Sequence, residues 1–239
     1  MNYFYEYVNR YDMKIPEINY KYHHSYRVME KMALLAKNMN LPYSDISLAK
    51  CIGLLHDIGR FEQYKRFKSF KDSNLDHGDY GEKILRDENS LKYFDIKEDD
   101  YNIVYTAIRN HNKYEIEPNL SNRELLFTKM IRDADKLDIL YALNNPEIKS
   151  IILEDNSQIR DSIKEAFFQD KQIIKDDKET KNENIIVMFS FVYDFNFNLS
   201  IGILKDNKYY ENIYERLHDK EKFKPYIDHV IKYIDERAD

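Results

Sequence analysis

Four histidines and two aspartates are the residues most suited to chemistry. Five of the seven histidines precede Asn112, and four of them, His24, His56, His77 and His111, have contexts that matter. His56 is followed at once by Asp57, within Leu54-Leu55-His56-Asp57-Ile58-Gly59-Arg60. Asp135 lies in Arg132-Asp133-Ala134-Asp135-Lys136-Leu137-Asp138. Neutral imidazole together with carboxylate suits Fe, Mn, Co or Zn better than Mg or Ca, which prefer all-oxygen shells. A carboxylate bridges two ions, which an imidazole ordinarily does not, so Asp57 is the natural shared ligand. Two ions roughly 3.5–4 Å apart can activate a bridging water and clamp a phosphoryl oxygen during in-line displacement.

Each residue also has a plainer reading. His24, on an apolar helix face, reads alone as a hydrogen-bonded core histidine. His77, in Asp76-His77-Gly78-Asp79, reads as a helix-start residue, and His111 as one stabilised at a helix C-terminus. Asp135 resists this treatment. It shares a mid-helix face with Ile131, Ile139 and Ala142, and a buried carboxylate without a partner is costly. His56-Asp57, directly after an apolar run, poses the same problem.

Helices must carry these side chains to one point. Apolar spacing predicts a short aromatic helix over 2–11 that breaks near Pro16, then a second over 17–39 bearing His24. A third, capped by Ser44 or Asp45, turns Ile46, Ala49, Ile52, Gly53 and His56 inward and stops at Gly59. Residues 61–74 read as loop. Helices are expected over 75–87 and 99–112, the latter with Val104, Ala107, Ile108 and His111 on one face. Ser121-Asn122-Arg123-Glu124 has capping-box spacing and opens a helix running to about 143. Beyond Pro146 the expectation is a helix over 157–174, an exposed loop over 176–184 and a closing helix over 225–237. Residues 189–199 alternate like a strand, but a lone strand leaves its backbone unsatisfied, so helix is expected there. The whole reads as a single helical domain, with a core over 17–145 and a helical extension over 146–239.

Composition agrees. Only 5 Gly and 5 Pro occur, too few for the frequent turns of an all-β fold. With 21 Tyr, 13 Phe and no Trp, much of the core must be built of rings. The single cysteine, Cys51, excludes an intramolecular disulfide and reads as a core residue in a reducing compartment. No signal peptide or membrane span is legible, so a cytoplasmic setting is expected. The net charge of −6 is interspersed, which argues against binding a nucleic acid duplex across a basic face.

The order His24, His56-Asp57, His77, His111, Asp135 resembles the HD-domain superfamily of metal-dependent phosphohydrolases. HSYRV, LLHDIGRFEQ, DHGDYGEKIL, AIRNHNK and IRDADKLDIL carry the likeness over about half the chain, residues 22–141. It implies an all-α fold with His24, His56, Asp57 and Asp135 as the common metal ligands and His77 and His111 as the extra pair of dinuclear members. The cofactors implied are two divalent transition ions, Fe or Mn first, with Zn, Co or Ni as alternatives. Asn110 and Asn112 flank His111 where three-metal members carry a second histidine, so no third ion is implied. Arg60 stands where many members have Lys and, with Asp57, is the catalytic candidate. Arg60, Arg109, Lys113 and Lys136 are candidates for binding phosphate, although the last three read equally as solvated charges. Asp138 is a candidate for orienting a ligand, and His23 for protonating a leaving group. His218 and His229 show only a surface-helix context.

The activity implied is hydrolysis of a phosphomonoester or phosphodiester of a nucleotide or related small molecule, with a homodimer as the assembly considered. A mixed-valent di-iron oxygenase and a non-catalytic nucleotide-binding module are the alternatives.

Overall fold

The computed structural model describes residues 2–148, 152–174 and 178–238, and every regular element among them is helical. The all-α expectation therefore holds. The chain divides into two compact units, Met1–Asp135 and Lys136–Asp239, with the division falling inside one long helix.

In the first unit, α1 (Asn2–Val8) buries Tyr3, Phe4 and Tyr7, Phe4 lying 5.9 Å from Tyr22 and 6.0 Å edge-on to Phe61. Helix α2 (Pro16–Asn38) starts on Pro16, whose missing N–H costs nothing in a first turn. It buries Val28, Met32, Leu35 and Ala36. Its partner α3 (Tyr43–Leu55) is apolar on most sides and correspondingly buried. The two approach closely because Gly53 lies against Met29: a Cβ there would sit 2.7 Å from the Met29 Cα.

Gly59 does not stop α3. That helix ends at Leu55, the chain turns through His56 and Asp57, and α4 (Ile58–Phe67) begins with Gly59 already inside it. Much of the segment expected to be loop is thus helix. Ile58, Phe61 and Gln63 are buried while Lys65 and Arg66 face solvent, and the charged residues obscured a short amphipathic pattern. Gly59 is needed for proximity: a Cβ would meet the His77 carbonyl oxygen at 2.2 Å. Helix α4 ends on left-handed Lys68, and the connecting loop runs from there to Asp76. Helix α5 (His77–Asp87) is capped by Asp76, which accepts from the Gly78 and Asp79 amides at 3.0 Å. It packs on α4 and on α6 (Tyr101–Asn110). The long α7 (Asn122–Asn144) opens with the expected capping box: Ser121 Oγ accepts from the Glu124 amide and Glu124 Oε2 from the Ser121 amide.

In the second unit, α8 covers only Asp161–Phe167, much less than the expected 157–174. Asn182 Nδ2 donates to the carbonyls of Asp155 and Ser157, which binds the chain ahead of α8 to another segment instead of to its own next turn. Helix α9 (Lys181–Phe189) occupies the end of the expected 176–184 loop because Thr180 caps it; residues 175–177 lie outside those described. Residues 189–199 form no strand: α9 ends at Phe189, a 3₁₀ turn spans Ser190–Asp194, and α10 (Asn198–Asn207) follows. Then come α11 (Tyr209–Glu215) and α12 (Lys220–Ala238), which starts five residues before Pro225. Phe167, Ile185, Phe189, Tyr210, Phe223 and Val230 centre this unit's core. Among the described residues no helix is long and apolar enough to cross a membrane.

Candidate metal centre

His24 projects inward from the middle of α2, fully buried, with its ring stacked on Tyr20 one turn earlier. His56 and His111 end α3 and α6 in the same way. Each uses Nδ1 to cap a carbonyl three residues back, His56 on Gly53 at 2.8 Å and His111 on Ile108 at 2.7 Å. Helix ends leave such carbonyls unpaired, and a local ring N–H satisfies them. His77, the first residue of α5, directs Nδ1 to Asp72 Oδ1 at 2.5 Å. An oxygen acceptor requires a proton on its partner, so all three rings carry hydrogen on Nδ1 and turn Nε2 inward, the arrangement a metal requires once Nε2 is unprotonated.

The inward atoms form two adjacent groups. His24 Nε2 and His56 Nε2 are 3.2 Å apart, with Asp135 Oδ1 at 3.1 and 3.7 Å from them. His77 Nε2 and His111 Nε2 are 2.9 Å apart. Asp57 stands between the groups: Oδ2 lies 3.4 and 3.5 Å from His24 and His56, while Oδ1 lies 3.3 and 3.6 Å from His77 and His111. Asp57 occupies the N-cap position of α4 but makes no capping bond with its side chain. A carboxylate so placed ordinarily accepts a first-turn amide; here it points into the cluster.

The fit to metal can be judged from the donors themselves. His77 and His111 oppose two lone pairs at 2.9 Å, a repulsive contact unless a cation, proton or metal, lies between them. The ligand atoms of His24, His56 and Asp135 lie within 4.8 Å of one another, as do those of His56, Asp57 and His111. Two imidazole-carboxylate sets of this kind suit first-row transition ions.

The electrostatics agree. Burial opposes charge on His56, yet Asp57 and Asp135 outweigh it and raise its pKa to about 10. Burial also works against ionising Asp57 and Asp135, but the neighbouring Lys21 and His56 on the one, and His24 and His56 on the other, hold both far below the usual carboxylate range. Burial lowers His111 to about 4, with His77 and His56 adding to the effect. Without metal the centre is an anionic trap that draws a proton onto His56.

Buried Arg132 ties α7 to the end of α6, donating to the carbonyls of Asn110 at 3.2 Å, Lys113 at 2.5 Å and Tyr114 at 3.3 Å. It thereby holds the helix of Asp135 against the segment that carries His111.

The charged candidates fall into two kinds. Arg60 is nearly buried beside the cluster, with Nε 3.6 Å from Asp57 Oδ1 and Nη1 donating to Gln63 Oε1, the Phe70 carbonyl and Asp72. Arg109 is paired with Glu82 at 2.6 Å and Glu117 at 2.5 Å, and Lys113 with Asp76 and Asp79. In the second unit, Lys136 is buried and paired with Asp194, and Asp138 is buried. His23 is exposed, Cys51 buried, and His229 hydrogen-bonded to Asp170 at 2.7 Å.

Three residues at the cluster escaped sequence reasoning. Lys21 places Nζ 2.6 Å from Asp57 Oδ2; its position three before His24, on one helix face, was a usable signal. Asp72 and the fully buried Gln63 lie in the stretch taken for loop, where no periodicity marks an inward side chain.

An all-helical protein with a buried histidine-aspartate cluster is thus the class that fold and site define. The HD-domain family model matches residues 22–140, which include all six clustered residues. The chain belongs to the HD-domain superfamily, whose members are generally metal-dependent phosphohydrolases that bind divalent ions. Searches of curated proteins and of solved structures found no match.

Proposed function

We propose that the chain is a dinuclear phosphohydrolase that cleaves a phosphomonoester or phosphodiester of a nucleotide or related small molecule. His24, His56 and Asp135 would hold one ion, His77 and His111 the other, with Asp57 shared. The observation that carries this reading is the division of Asp57, one oxygen toward each histidine pair. Iron or manganese, or else zinc, cobalt or nickel, would supply Lewis acidity toward a phosphoryl oxygen and toward water.

The chain's own residues do the rest. The fixed Nδ1–H bonds of His56, His77 and His111 preset the donor directions, so little reorganisation is needed on binding. Arg60 offers its guanidinium beside Asp57 to a phosphoryl oxygen, and the fork's planarity favours bidentate contact. Arg60 is itself paired with Asp72 through Nη1, as Arg109, Lys113 and Lys136 are paired with other carboxylates, but its guanidinium lies 3.6 Å from the shared Asp57, so Arg60 is the principal anion-binding residue. Single, buried Cys51 is consistent with a reducing, cytoplasmic setting.

Elemental analysis of protein purified without chelator should find two transition ions per chain. A panel of phosphorylated metabolites with added manganese or ferrous iron should release phosphate, and Asp57→Asn should abolish both metal retention and turnover. Protein that holds no transition metal and leaves the whole panel uncleaved would refute the reading.

A further inference from the structure

The loop between α4 and α5 places one carboxylate oxygen where three buried or half-buried donors meet. Asp72 Oδ1 accepts from His77 Nδ1 at 2.5 Å, Arg60 Nη1 at 3.0 Å and Gln63 Nε2 at 3.2 Å. The first donor belongs to a candidate ligand, the second is the cation beside Asp57. The third is fully buried and also donates to the Lys71 and Leu75 carbonyls, which pins the loop itself. The nearest rival for His77 Nδ1 is Asn112 Nδ2 at 3.4 Å. Both atoms are donors once Nδ1 carries hydrogen, and the amide has a better acceptor in Asp76 Oδ1 at 3.1 Å. Asp72 is therefore the group that fixes this tautomer.

We propose that Asp72 is a positioning residue that locks His77 as an Nε2 donor and, through the same oxygen, holds Arg60 beside Asp57. One carboxylate would thus set both the second cation position and the anion-binding arginine. The inference rests on the dinuclear reading above. A charged acceptor makes the imidazole a stronger donor to a metal and restricts its rotation, and such partners alter metal affinity by about 10–100-fold. Because His24, His56 and Asp135 do not touch Asp72 in any bond described above, its influence should fall on the second ion alone.

The test is stepwise calorimetric titration of metal-free protein with manganese, together with inorganic phosphate titration of the loaded protein. Wild type, Asp72→Asn, Asp72→Ala and Arg60→Met are compared. Asp72→Asn keeps the size and an oxygen acceptor but loses the charge, so it guards against a folding defect in Asp72→Ala. Both Asp72 variants should bind the first ion with wild-type affinity, weaken the second by about 10-fold or more, and weaken phosphate. Arg60→Met should weaken phosphate while keeping both ion steps, which separates the two effects of Asp72. Asp72 variants that bind two ions as tightly as wild type, or lose both equally, would overturn this inference alone. A wild-type chain that takes up a single ion would overturn the dinuclear reading and this inference with it.

Discussion

Gly59→Ala is the sharpest probe of how the fold brings the cluster together. The new methyl would lie 2.2 Å from the His77 carbonyl oxygen and 3.0 Å from the Gly81 amide nitrogen. Both are backbone atoms of α5, so no side-chain rotation relieves the clash. Restoring an ordinary contact requires α4 and α5 to part by about 1 Å. Alanine gains up to about 1 kcal/mol of helix propensity over glycine, whereas overpacking of this kind costs about 1–3 kcal/mol. The balance is destabilising by up to about 2 kcal/mol, lowering Tm by up to about 8 °C. Function should suffer more than stability. Metal-ligand distances tolerate only about 0.2 Å, so a 1 Å drift of His77, given about that separation, forfeits its ligand role. Calorimetric titration with manganese should show two binding steps in wild type and one in Gly59→Ala, with Tm read on the same samples. A variant that keeps both steps at wild-type affinity, with Tm within about a degree, would refute the argument that helix separation governs the second position.

Other outcomes follow from the electrostatics. With its pKa raised to about 10, metal-free His56 carries a proton that an incoming ion must displace. Affinity should therefore strengthen about tenfold per pH unit between neutrality and about pH 10, with one proton released in calorimetry across buffers of different ionisation enthalpy; pH-independent affinity would contradict this. Lys21→Met removes the ammonium 2.6 Å from Asp57 Oδ2, so ion binding should tighten while the metal-free protein melts lower. Weaker binding would show that Lys21 supports the loaded site. In the second unit, the hydrogen bond from Arg160, working against burial, lowers Glu183 to about 2. Its folded pKa lies below the unfolded value, so its contribution is present above about pH 4.3 and is lost as pH falls through about 2. Glu183→Gln should cost about 1–3 kcal/mol at neutral pH and flatten the acid limb of the stability profile, as followed by circular dichroism.

The amino-acid order alone carried the chemical identities: the His56-Asp57 pair, the three further histidines, and an aspartate amid the apolar face of a long helix. It also carried most helices of the first unit, because the Ser121–Glu124 box and apolar spacing along α2 and α6 act within a few residues. Where the deciding partner lies far along the chain, that information was absent. Gly59 resembled a helix stop because its real neighbour, His77, is eighteen positions away. Residues 189–199 alternate as a strand would, yet they form the end of α9, a 3₁₀ turn and the start of α10, and both α9 and the 3₁₀ turn pack against α12. Nor did the amino-acid order show the carboxylates that pair with Arg109 and Lys113, namely Glu82, Glu117, Asp76 and Asp79. Only the tertiary structure divides the two oxygens of Asp57 between histidine pairs and sets Asp72 behind His77. Distances between residues tens of positions apart depend on how closely helices pack, and local periodicity does not encode that spacing.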